Sequence, residues 1–106
     1  MAYTKDEAID LAKKFVNEAS KRHHIQSAYL FGSYAREAQK DYSDIDIASV
    51  LSNISQVRRY YNETVEIFHE AQEYNSLLEV ICFREDEFEK NGEAIVTQIK
   101  KEGIVI

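Results

Sequence analysis

Six residues in this sequence are of types that do chemistry on phosphates: Gly32, Ser33, Arg36, Asp44, Asp46 and Glu79. Asp44 and Asp46 head the apolar run DIDIASV, where hydrophobes would bury more cheaply. On a strand, residues two apart leave the same face, with Cα atoms about 7 Å apart. Two negative charges at that spacing repel by roughly 2 kcal/mol at an effective dielectric near 20. Solvent, an arginine or a divalent cation would relieve them, and Asp-x-Asp alone is often a strand edge facing water. Glu79 sharpens the reading. It stands inside SLLEVICF, where alternation puts Leu77, Glu79, Ile81 and Phe83 on one face. Burying a glutamate there without a partner is costly. Either it reaches a sheet edge or a basic partner, or it lies beside Asp44 and Asp46 on a neighbouring strand. Three carboxylates converging from two strands would form an oxygen-only site for a hard cation such as Mg²⁺.

Gly32-Ser33 supplies the other half. A glycine at a strand end lets backbone approach a ligand closely. Ser33 brings a hydroxyl, and the following amides, if they open a helical turn, form a phosphate cradle. Arg36 is near enough in sequence to add a charge-assisted bond. Each signal is weak alone. Together they describe a Gly-Ser loop holding a nucleoside triphosphate and Asp44 and Asp46 holding Mg²⁺ against it. Glu79 would complete a second metal site or take the proton of an attacking hydroxyl. That is two-metal, in-line phosphoryl chemistry.

The elements that must position these residues can be read in turn. Thr4 with Glu7 is a capping box, and Ala8, Leu11, Ala12, Phe15, Val16 and Ala19 follow at helical spacing. Lys21, Arg22 and His23 suit the helix C-terminal end. Neighbouring residues on a helix point about 100° apart, so His23-His24 reads as a solvated helix end and not a chelate. Residues 27–31 form a short buried strand that Gly32 stops, and residues 34–38 allow a helical turn. Residues 44–51 form a second strand, 55–73 a second helix, and 77–83 a third strand. Asp86 with Glu89 predicts the N-cap of a last helix through Ile95, Val96 and Ile99, with Gly103 at a left-handed C-cap. Ile104-Val105-Ile106 is an apolar tail that should pack or pair. The fold class is α/β (α+β): a small mixed sheet with helices mainly on one side. The connection 32–43 has twelve residues, long for a hairpin and of a length often given to function.

Composition limits the alternatives. The 106 residues suit a single domain, 1–106, and an apolar share of 44% supports a core. No apolar run approaches a membrane span. The charged start MAYTKDEAID does not read as a secretory leader, and a single cysteine, Cys82, cannot pair internally. The expected compartment is a reducing cytoplasm, with Cys82 a core thiol. A net charge of −6 argues against direct nucleic-acid binding, which needs clustered cations. Tyr60 and Tyr61 read as packing or interface residues, and Arg58 and Arg59 as a solvated helix face. The second helix and the apolar tail are candidate contact surfaces.

Gly32-Ser33, ten residues, then Asp44-Ile45-Asp46 resembles the signature of the DNA polymerase beta nucleotidyltransferase superfamily. FGSYAREA, SDIDIASV, LLEVICF and the closing IKKEGIVI are similar to the minimal nucleotidyltransferases, small proteins often encoded beside a HEPN-domain partner. The resemblance covers the chain from about Ala28 onward. It implies a nucleotidyltransferase-type fold, triphosphate binding at Gly32 and Ser33, Mg²⁺ at Asp44 and Asp46, and Glu79 as the third carboxylate. It implies ATP as donor and a role as antitoxin to a HEPN ribonuclease, moving AMP onto a tyrosine hydroxyl of that toxin. Two departures stand out. Glu37 occupies a position commonly glycine, and the third acid, often aspartate, is here glutamate. Two other readings remain open: a non-catalytic subunit that neutralises its partner by binding, and transfer to a small molecule in complex with a partner.

Overall fold

A computed structural model of the chain describes residues 3–52, 57–90 and 93–106, and side chains from 60 onward in the second of these segments. Thr4 caps α1 (Lys5–Ala19). Its hydroxyl accepts from the Glu7 amide at 3.1 Å and the Glu7 carboxylate accepts from the Thr4 amide at 2.8 Å. The predicted capping box is therefore complete. Next come β1 (Ile25–Phe31), β2 (Ile45–Leu51), α2 (Val57–Tyr74) and β3 (Leu78–Arg84). The chain ends with α3 (Glu85–Lys90), α4 (Ala94–Glu102) and β4 (Ile104–Val105). The expected start of the second helix at Ser55 lies outside the described residues, and the reading of Arg58 and Arg59 lies outside the described side chains.

The four strands form one mixed sheet in the order β3-β2-β1-β4. β1 is antiparallel to β2 and β4, whereas β2 and β3 run parallel across the α2 crossover. The apolar tail pairs, as expected: Leu30 faces Ile104, and the Ile106 amide bonds the Ala28 carbonyl at 3.0 Å.

Alternation along the strands assigns the two faces. Ala28, Leu30, Ile45, Ile47, Leu51, Leu78, Val80 and Cys82 pack with Ala8, Ala12 and Phe15 of α1 and Ile67 and Ala71 of α2. Leu30, Ile45, Ile47 and Leu78 are fully buried, each such side chain contributing about 1.5–3 kcal/mol. Cys82 belongs to this layer, and burial pushes its thiol up to about 12. The two long helices thus share one side. On the other face α3 and α4 cover only part of the sheet, through Ala48, Val50, Phe88, Val96 and Ile99. Asp46, on the same face as Ala48 and Val50, stays partly open.

Three expectations need correction. The last helix is two helices: Asp86 sits in the first turn of α3, and α4 begins after Glu93. Glu93 is extended (φ −61°, ψ 150°), which separates α4 from α3. Gly103 is extended (φ −69°, ψ 147°), not left-handed. A Cβ there would run into the Ile99 carbonyl and lie 3.3 Å from the Tyr29 Cβ, so close approach, not handedness, selects glycine. His23 is not solvated but only 5% exposed; its neighbour His24 points outward.

Candidate nucleotide and metal site

Asp46 stands opposite Phe31 on β1 and opposite Glu79 on β3, so β2 brings one acid directly beside another. Asp44 immediately precedes β2 and is exposed; Asp46 is half-buried. Glu79 is exposed on the edge strand β3, where it escapes the burial cost that its apolar neighbours suggested. Both halves of the sequence reading apply: Glu79 reaches an edge, and it stands beside the aspartates.

These carboxylates influence one another's proton affinity. Burial first, then Glu79 and Asp44, raise the Asp46 carboxyl from 3.8 to about 6, with Arg36 partly offsetting them. Glu79 is also raised, first by a hydrogen bond with Asp44, then by burial and by the Asp44 charge. A group of carboxylates that retains protons this readily lacks its counter-charge. The donors are oxygens only, which fits a hard divalent cation such as Mg²⁺.

Gly32 has φ +79°, a left-handed conformation natural to glycine. A Cβ on Gly32 would overlap the Asp46 carboxylate. The glycine therefore turns the chain and makes room for the acid at the same time. The loop after it coils back on itself. Arg36 N–H bonds the Gly32 carbonyl at 3.2 Å, and Ala38 N–H bonds the Ser33 carbonyl at 2.8 Å. Among the described residues, the amides of Ser33, Tyr34 and Ala35 have no backbone acceptor, which leaves a set of donors suited to an anion.

Tyr34, just after Ser33, is fully buried in the core layer to which α1 and α2 also contribute. Sequence reasoning passed over this anchor, whose only signal was an aromatic beside Gly-Ser. Arg36 is divided: it offsets Asp46, and its Nη1 lies 3.5 Å from Glu102 Oε2 at the end of α4. Glu37, the first departure from the expected pattern, adopts φ 55°. That left-handed backbone is a physical reason for glycine at this position.

The structure thus brings Gly32, Ser33, Arg36, Asp44, Asp46 and Glu79 to one end of the sheet, where the face left open by α3 and α4 meets the loop after β1. The family model described as polymerase beta nucleotidyltransferase matches residues 13–106. A protein of Sulfolobus solfataricus described as a nucleotidyltransferase superposes with a TM-score of 0.58 at 22% identity, covering 99% of this chain and 87% of that one. A toxin–antitoxin structure with AMP-PNP gives 0.62 at 20% identity, covering 91% and 69%. A mutant of the MntA–HpeT toxin–antitoxin pair, with two aspartates two residues apart changed to glutamate, gives 0.54 at 17% identity, covering 97% and 72%. At these identities the likeness is one of fold. No curated protein matches the chain.

Proposed function

Because the chain belongs to the polymerase beta nucleotidyltransferase family, whose model spans residues 13–106, we propose that it is an Mg²⁺-dependent adenylyltransferase. It would move AMP from ATP to a tyrosine hydroxyl on a HEPN ribonuclease partner, serving as that toxin's antitoxin. The observation that carries this reading is the juxtaposition of Asp44, Asp46 and Glu79 with the Gly32-Ser33 loop at one sheet end.

Asp44 and Asp46 would hold Mg²⁺, with Glu79 as the third acid. The cation would supply charge neutralisation for the triphosphate and the leaving pyrophosphate. The chain's own part is positional. The amides after Gly32 and the Ser33 hydroxyl donate to phosphate oxygens, and Arg36 adds a charge-assisted bond if it leaves Glu102. Glu79, exposed and with raised proton affinity, is suited to accept the proton of an incoming tyrosine hydroxyl. The bond formed joins that oxygen to the α-phosphorus; the bond broken releases pyrophosphate.

Two of the similar structures are toxin–antitoxin assemblies, one described with AMP-PNP, which favours a protein partner and a nucleotide. The α2 helix carries Tyr61, Val65 and Phe68 exposed at spacings of four and three residues, an apolar stripe suited to such a contact. The chain has no long apolar helix among the described residues that could cross a membrane.

The test is label transfer from ATP labelled at the α-phosphate, with Mg²⁺, the purified chain and the product of its neighbouring gene. Covalent label on the partner, lost in Asp44→Asn and Asp46→Asn, is the expected result. A stable complex without label would replace the transferase by a binding antitoxin. Label on a small molecule would move the acceptor.

A further inference from the structure

A second group of ionisable side chains joins the end of α1 to α2. His23 is 5% exposed. Its Nδ1 lies 2.6 Å from Glu63 Oε1, and its Nε2 hydrogen-bonds Glu70 Oε2. Glu70 is also held by Arg22, whose Nε donates to Oε1 at 2.6 Å. Each ring nitrogen of His23 thus has a carboxylate able to accept a proton-mediated bond from it, an arrangement that favours the imidazolium form. Glu66 lies one turn beyond Glu63 on the same helix face. One ligating atom from each of His23, Glu63 and Glu66 lies within 4.8 Å of the others, the one such trio among the described residues.

We propose that His23, Glu63 and Glu66 form a site for a borderline divalent cation, Zn²⁺ before Mg²⁺, bridging the chain just after α1 to α2. The donor set is one imidazole nitrogen and two carboxylate oxygens, with room for water as a fourth ligand. Zinc holds such nitrogens and oxygens at about 2.0–2.2 Å, so its tetrahedral ligand atoms stand roughly 3.3 Å apart. The present separation of 2.6 Å between Nδ1 and Glu63 needs only a small opening. Glu70, accepting from Nε2–H, occupies the place of the carboxylate that commonly backs a metal-bound histidine, fixing its tautomer and raising its basicity. Glu70 and Arg22 are positioning residues here.

The proton balance is definite. Metal binding at Nδ1 displaces the proton now shared with Glu63, and that proton leaves to solvent. The metal competes with that proton for Nδ1, so its affinity rises with pH. The site shares no residue with Asp44, Asp46 and Glu79, so its fate is separate from that of the proposed transferase.

The experiment uses the full chain, stripped by chelator and kept in excess Mg²⁺ to occupy the sheet-end acids. Zn²⁺ is titrated calorimetrically in two buffers of different ionisation enthalpy. The expected result is one Zn²⁺ per chain, with about one proton released near pH 7 and tighter binding near pH 8 than near pH 6. Glu66 is exposed, and Glu66→Gln is the deciding variant. It should weaken Zn²⁺ by at least about tenfold while leaving the metal-free melting temperature unchanged. His23→Gln should abolish binding, with its folding checked by circular dichroism. No saturable binding at micromolar Zn²⁺, or binding unchanged by Glu66→Gln, or binding lost only in Asp44→Asn, would each overturn the site.

Discussion

At the sheet end, Asp46 has Asp44 and Glu79 for neighbours and only Arg36 to offset them; between α1 and α2, Glu70 has both His23 and Arg22 upon it. The consequences run in opposite directions. Asp46 is pushed up to about 6. Glu70 is held below the ordinary value by its bonds to His23 and Arg22, although burial works against this. The same kind of side chain thus reports two situations. One cluster carries an excess of negative charge that Arg36 only partly offsets, and its metal-binding donors are all oxygen. The other already contains a positive charge, a proton on an imidazole nitrogen. Acidic content alone is uninformative; the balance of counter-charge, and the nature of the donors, separate an oxygen-only site for a hard cation from a mixed nitrogen and oxygen site where a metal must displace a proton.

Asp46→Asn tests the first cluster most severely. Transfer should fall on the order of 10²–10³-fold, the usual cost of removing one electrostatic stabiliser of the transition state. The fold should gain. The native state binds the Asp46 proton more tightly than the unfolded chain, so the acid weakens the fold progressively as pH climbs from 3.8 to about 6. Above that window the metal-free variant should be more stable than the parent by about 1 kcal/mol, after allowing for solvent screening of a half-exposed group. Below about pH 4 the two should melt together. Loss of transfer without this pH-dependent gain would break the charge-frustration account of the sheet end.

Gly32→Ala should cost about 2–4 kcal/mol, since it combines a left-handed backbone with overlap of the Asp46 carboxylate. Chemical denaturation would measure it. Adding Asp46→Asn should recover little, because the amide fills the same space. Substantial recovery would mean that charge and not volume sets the contact.

His23→Ala addresses the second cluster. Removing the imidazolium leaves Glu63 and Glu70 short of a partner, at about 2–3 kcal/mol. The sign with pH differs from that of Asp46. His23 has a raised pKa in the fold, so its contribution is fully present below the unfolded value of 6.5 and is lost as pH rises through the folded value. Parent and variant should therefore converge in alkaline solution. A gap that stays constant from about pH 6 to pH 10 would mean that His23 acts by packing alone.

The contrast between the clusters also explains what the sequence made legible. Asp46 and Glu79 could be placed on strands because alternation is a local rule, and the β2–β3 register sets them side by side; Asp44, expected on the strand, lies just before it and meets Glu79 through its side chain. Gly32 could be read as a turn, but the overlap with Asp46 is a contact across fourteen positions of sequence, set by how β1 and β2 pair. His23 was misread because its partners lie 40 and 47 residues away on α2; helix geometry says that His23 and His24 diverge, not which of them turns inward. Gly103 failed similarly, since its constraint comes from Tyr29 and Ile99 packing against it. The single last helix was a misjudged boundary: Asp86 is not an N-cap but lies inside the first turn of the shorter helix α3, where an acid suits the dipole.

Glu37 gives the smallest predicted effect. It holds φ 55°, a conformation that costs a residue with a Cβ about 1–2 kcal/mol. Glycine relieves that strain but adds unfolded-state entropy worth about 0.5–1 kcal/mol. The exposed pair with Lys5, at 3.9 Å, adds almost nothing. Glu37→Gly should therefore stabilise the chain by about 0.5–1 kcal/mol, roughly 2–5 °C in melting temperature for a domain of this size. Glu37→Ala keeps the strain and should melt with the parent. Both variants remove an acid next to the proposed phosphate loop and should tighten ATP binding alike. Backbone and charge are thus separated: stability should distinguish glycine from alanine, and nucleotide affinity should not. If alanine and glycine stabilise equally, the left-handed backbone carries no cost, and charge near the loop explains Glu37 entirely.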